Sequence, residues 1–236
     1  MTRQLRIAFF AEGSVWPAAR HGDPFVRLWQ KTIPALFGLM APTRVVPISK
    51  KHLVAMDPEL PPMSGAGEPL DALMARELGR EEFDTAVVLW DLVPAWDEHT
   101  SACRWEDTLA LYEGLAASQD LPSVWRRNAG ARLRELRRRG EPALRTCVPA
   151  PAPATTLAVC MEPVFEGLLV QNEDPVRRAL DVRGRQVPGW PSPWSTAGVT
   201  RPDLRLLQPA IKAARKLRPV PRVLRQVCGD MRTAKH

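Results

Sequence analysis

The sequence predicts an α/β protein: an open, mostly parallel sheet with flanking helices, followed by a basic helical C-terminal extension. Three observations lead there. Four short runs, Leu5–Ala11, Arg44–Ile48, Thr85–Trp90 and Thr155–Met161, have the length and composition of strands. Stretches with apolar residues at helical spacing lie between them. Two of the runs end in an acid, Glu12 and Asp91. In an open parallel sheet all carboxyl ends lie along one edge, and ligands bind in the crevice there.

The elements follow in chain order. After the first strand, residues 24–39 place Phe25, Leu28, Trp29, Ile33 and Leu36 at helical spacing, with Pro34 shortening or kinking the helix. Pro47 in the second strand cannot donate to a ladder, which puts that strand at an edge. The prolines and glycines of 52–68 predict a long loop, and 70–78 a short helix. Two amphipathic helices follow the third strand. Ser101 can cap the first, whose stripe is Trp105, Leu109, Tyr112 and Ala116. Asp120 can cap the second, with Pro122 in its first turn and Gly140 just past its end. That helix has the stripe Trp125, Ala129, Leu133 and Leu136. A proline-rich linker at 148–154 leads to the fourth strand. Short helices are predicted at 164–170 and 175–180, a loop with Trp190 and Trp194 at 189–198, and helical pieces over 204–227, broken by Pro209, Pro219 and Pro221. The α/β domain is placed at 1–198 and the basic extension at 199–236.

Composition narrows the function classes. No apolar stretch approaches a membrane span. Arg3 and Arg6 precede only a short apolar run cut off by Glu12, so no secretory signal is expected and the location is read as cytoplasmic. Cys103, Cys147, Cys160 and Cys228 lack metal-type spacing and are read as free thiols rather than zinc ligands. Charge is divided: residues 1–119 carry 11 Lys+Arg against 16 Asp+Glu, net −5, and residues 120–236 carry 22 against 10, net +12. A basic second half suits a polyanionic partner, although a solvated arginine-rich surface would look the same.

The candidate site begins with Glu12-Gly13, where glutamate can bind a metal or act as a base and glycine permits a tight turn. No phosphate-loop pattern follows. Asp91 ends the third strand, and Asp97 and Glu98 lie beyond it, where acids also favour a helix start. Carboxylates on one sheet edge suit a hard divalent cation such as magnesium or manganese. Trp16, Trp90 and Trp96 near that edge can stack on bases or pack as core, and Trp90, inside a strand, reads as core. The basic face of the 126–139 helix carries Arg126, Arg127, Arg134, Arg137 and Arg138. The C-terminal segment adds Lys212, Arg215 and Lys216.

A strand ending in Glu12-Gly13, a later strand ending in Asp91, and a further strand followed by Glu162-Pro163-Val164-Phe165-Glu166-Gly167-Leu168-Leu169 together resemble a Toprim-type domain. The likeness is to a bacterial Toprim-like family, domain of unknown function 4276, found beside ATPases in abortive-infection and anti-phage defence loci. It spans roughly residues 5–182. It implies magnesium held by Glu12 and Asp91 with Asp97 or Glu166, and Glu12 and Asp91 catalytic in breaking or joining phosphodiesters. It also implies a nucleic-acid substrate and a possible partner ATPase. The chain departs from the family's Asp-x-Asp: Val93 stands where the second aspartate belongs. The expected function is therefore a metal-dependent nuclease subunit of a bacterial defence system. The alternative is a catalytically degenerate module that binds nucleic acid or docks on the ATPase.

Overall fold

A computed structural model describes residues 6–12, 30, 44–56, 67–92, 104–146, 153–161, 173–184, 187, 190, 203–214 and 219–233. Apart from Gln30, which is helical, the helix expected at 24–39 lies outside these residues, as do that at 164–170 and most of the loops at 52–68 and 189–198. The four strands are β1 (Ile7–Glu12), β2 (Arg44–Ile48), β3 (Thr85–Asp91) and β4 (Thr155–Met161). They form one sheet in the order β2-β1-β3-β4, and every pairing is parallel. β2 is an edge strand, as Pro47 requires. β1 and β3 are buried along their whole length, which explains their unbroken apolar sequence.

Strand alternation divides the core in two. Ala8, Phe10, Ala86, Val88 and Trp90 face one side, against α2 (Leu70–Arg80), α3 (Trp105–Ala117) and α4 (Ser123–Arg139). Ile7, Phe9, Ala11, Val87, Leu89, Leu157 and Met161 face the other. There they meet α6 (Glu173–Ala179), α7 (Gln208–Ala213) and α8 (Val220–Thr233). Burying an aromatic such as Phe9 or Phe10 contributes about 1.5–3 kcal/mol. The basic C-terminal segment thus lends Leu207, Ala210, Ile211, Val223, Leu224 and Val227 to the core of the same sheet. None of the described helices is long and apolar enough to cross a membrane.

Several local expectations shift. α3 begins at Trp105 with Arg104 as its N-cap, and Ser101 lies outside the described residues. Its buried positions are Thr108, Leu111, Tyr112 and Leu115, whereas Trp105, Leu109 and Ala116 are only half-buried. The helix packs on the sheet with α2 and α4 as neighbours, and its buried face is the one that meets all three. At Gly114 a Cβ would collide with the Asp71 side chain of α2, so the close approach requires glycine. α4 starts at Ser123 with Pro122, not Asp120, at its N-cap. Its stripe is as expected, and Gly140 ends it at φ 75°, a conformation suited to glycine. Within 52–68, residues 52–54 are helical, as the end of α1 (Lys50–Val54). A further short helix, α5 (Pro142–Thr146), follows α4. A π-helical turn, Asp203–Leu207, leads into α7. Pro209 and Pro221 sit in the first turns of α7 and α8, so they start helices rather than break them.

Candidate functional site

The strand order reverses between β1 and β3: the chain steps from β1 out to β2 and then crosses back to β3. In open α/β sheets the crevice beyond such a reversal is where ligands bind. Glu12 is the last residue of β1 and Asp91 the last of β3, so both acids stand at this switch point.

What surrounds them is set by Arg104. This side chain is 1% exposed, one of the largest fully buried groups in the protein. Its backbone is left-handed, with φ 51° and ψ 50°, and turns the chain from the β3–α3 connection into α3. Its Nη1 donates to the Asp91 carbonyl at 3.1 Å and lies 3.4 Å from Glu12 Oε2. Its Nε donates to Asp107 Oδ2 at 2.8 Å. The guanidinium lies over the Trp90 ring, 4.6 Å from its centroid, a cation–π contact. Thr108 Oγ1 donates to the Arg104 carbonyl at 2.9 Å, which locks the residue at the helix start. Glu12 Oε2 in turn accepts the Asp91 backbone N–H at 2.8 Å.

Burial raises the Glu12 carboxyl above its ordinary pKa, and this outweighs the opposing pull of Arg104 and the Asp91 N–H. Asp107 pushes in the same direction as burial. Cys160 pairs with Trp90 across β3 and β4. Burial raises that thiol too, against smaller opposing effects of Trp90 and Arg104. Cys160 is in no disulfide among the described residues.

The two acids share an edge, but alternation separates their side chains. Glu12 follows the parity of Ala8 and Phe10 and lies on the α3 side. Asp91 follows Val87 and Leu89, and its register partner Met161 belongs to the opposite core. Gly13, Val93, Asp97, Glu98, Phe165 and Glu166 lie outside the described residues, as do Trp16 and Trp96. Trp90 is fully buried core, as expected. Among the described residues no cluster of three metal-type ligands occurs. With Glu12 and Asp91 on opposite sides of the sheet, this pair of described acids does not by itself make a magnesium or manganese site. Through Oε2 the Glu12 carboxylate already serves the Asp91 N–H and Arg104, so a metal ion there would share the group with a buried cation.

The predicted basic residues part company. Arg126, Arg127 and Arg134 line one shallow depression with Ala116, Ser123 and Gly130. Arg137 is instead paired with Glu113, and Arg138 is exposed. Lys212 is exposed on α7, and Arg215 and Lys216 lie outside the described residues. Sequence reasoning missed Arg104. Its signal was an arginine placed just before a helix, where the dipole disfavours cations, with Glu106 and Asp107 directly after it. No protein-family model, curated protein or solved structure matches this chain.

Proposed function

We propose that this protein is a Toprim-like α/β module that binds nucleic acid without cleaving it and serves a partner ATPase in bacterial defence. One observation carries the non-catalytic part: the glutamate placed for metal binding is balanced internally by a fully buried arginine. In this reading Glu12, Arg104 and Asp91 tie the ends of β1 and β3 to the start of α3. Val93, where a Toprim site would have its second aspartate, agrees with this role. The +12 charge of residues 120–236 supplies the attraction for a polyanion.

The test is fluorescence anisotropy with labelled DNA and RNA oligonucleotides in chelator, followed by incubation with magnesium or manganese, alone and with any ATPase encoded beside it. Association without metal and intact oligonucleotides afterwards are expected. Metal-dependent cleavage abolished by Glu12→Gln and by Asp91→Asn would overturn the non-catalytic reading. It would favour the second one, a magnesium-dependent nuclease whose ligand set is completed by Asp97 or Glu166. The location of both acids at the switch point supports that second reading. Asp97→Asn and Glu166→Gln would then show which residue completes the set.

A further inference from the structure

The seven arginines of α4 fall into two groups. Arg132 and Arg139 pair with Glu135, and Arg137 pairs with Glu113 across to α3. Arg126, Arg127, Arg134 and Arg138 have no carboxylate partner among the described residues. Arg126 reaches only the neutral Gln119 side chain, at 3.4 Å, and its Nε–H is shielded from solvent without an acceptor. Three of these four are also gathered in space. Arg126, Arg127 and Arg134 line the same depression on the outer surface of α3 and α4.

The depression exists because two small residues face each other. A Cβ added at Gly130 would come 3.6 Å from Arg134 Nη1 and 3.7 Å from the Ala116 Cβ. The Arg134 guanidinium therefore lies back along the helix, over the gap that glycine leaves. Ser123 stands at the helix start, where no acidic residue occupies the first turn and the dipole favours an anion. Arg127, Arg134 and Arg138 recur at i, i+7 and i+11, one stripe about 16 Å long. Such a stripe matches about five steps of a strand that rises 3.4 Å per phosphate. A row of unpaired cations suits a repeating polyanion better than one isolated phosphate.

We infer that this depression and stripe anchor the phosphate backbone of a nucleic acid, at a place remote from the sheet edge. α3 runs from Arg104 at the carboxyl edge to Ala116 in the depression, about 18 Å along its axis. The backbone is thus held on one outer face while the switch point stays free for another role. The inference rests on the nucleic-acid reading above and says which surface carries it.

The experiment measures binding of labelled oligodeoxythymidylate to the whole protein across a salt series. The wild type is compared with Arg126→Ala/Arg127→Ala/Arg134→Ala, with Gly130→Leu and with Arg137→Ala. The triple variant should bind at least about tenfold more weakly at low salt and lose about two from its log–log salt slope. Gly130→Leu keeps every charge and fills the depression, so weakened binding there distinguishes a shaped site from a diffuse positive field. Arg137→Ala should leave affinity and slope unchanged. The exposed pair Arg127→Ala/Arg134→Ala reads the same effect should the triple variant fold poorly, and urea midpoints check all of them. A triple or double variant that folds and keeps wild-type affinity and slope overturns the anchor and leaves the proposed function standing. No binding of any DNA or RNA by the wild type overturns both. A phosphoserine peptide that binds where oligonucleotides do not would reassign the surface to a protein partner and overturn the anchor.

Discussion

Glu12 and Glu77 are both buried, at 7% and 5% exposure, yet they are neutralised in opposite ways. Glu77 lies near the end of α2 at the amino edge of the sheet. Its carboxylate meets Arg44 at 2.5 Å, Arg80 at 3.2 Å and Arg76 at 3.3 Å. Those three side chains are 36–60% exposed, so their charges stay hydrated. Glu12 faces a single guanidinium that is itself out of water. Mobile surface arginines can gather around a carboxylate at little cost. A buried arginine must be held, here by a carbonyl, a second carboxylate and an indole face. The amino edge is therefore neutralised opportunistically, and the carboxyl edge is built.

The largest expected effect comes from breaking the built side. Arg104→Ala leaves Glu12 buried without a counter-charge and removes the donor to the Asp91 carbonyl. It should cost about 3–5 kcal/mol in urea unfolding. Arg104→Met combined with Glu12→Gln removes both charges while keeping most of the volume. That double variant should recover much of the loss, and a double-mutant cycle would measure the coupling. If Arg104→Ala proved nearly neutral, the two glutamates would not differ in the way described.

Tyr112 gives an intermediate scale, since it is a buried polar group with one uncharged acceptor. Its hydroxyl donates to the Thr156 carbonyl at 2.6 Å and pins α3 to β4. Tyr112→Phe should cost about 1–2 kcal/mol at neutral pH. Burial pushes this phenol up to about 12 from 10.0. Above pH 10 the unfolded chain ionises first, so stability fully present below 10 is lost as pH rises through about 12. The loss is about 1.4 kcal/mol per pH unit. Urea midpoints over that range should fall less steeply in Tyr112→Phe. Tyr112 is the protein's single tyrosine, so its phenolate absorbance reports this site alone.

The smallest effect belongs to the opportunistic side. Glu77→Gln should cost about 1 kcal/mol or less, because its partners return to water. Raising the salt concentration should shrink the difference further, whereas the Arg104→Ala loss should hardly respond. Equal salt sensitivity at the two sites would erase the contrast.

Much of the frame was legible in the sequence because single residues carried it. Pro47 marked an edge strand, the stripe Trp125, Ala129, Leu133 and Leu136 gave the buried face of α4, and two strand-ending acids marked one edge. What stayed hidden depended on register. That Glu12 and Asp91 point to opposite sides follows only from the pairing of Ala11 with Leu89 and the alternation beyond it. Arg104 stayed hidden because a lone arginine before a helix looks like a solvated surface charge. The face of α8 that carries Val223, Leu224 and Val227 was masked by the arginines between and around them.

The location of those last residues has a consequence for how the chain is made. β1 is synthesised before the other three strands, and among the described residues this face is covered by α6, α7 and α8, which all follow β4 in the chain. A nascent chain that has reached β4 holds all four strands but lacks the described helices that pack on Phe9, Val87 and Leu157. The contacts that close this face join residues 7–11 to residues 207–227, a long separation in sequence and a slow kind of contact to form. During synthesis the protein should therefore depend on a chaperone that shields one side of a parallel sheet. A stop codon before Val223 should yield aggregate rather than a smaller folded protein.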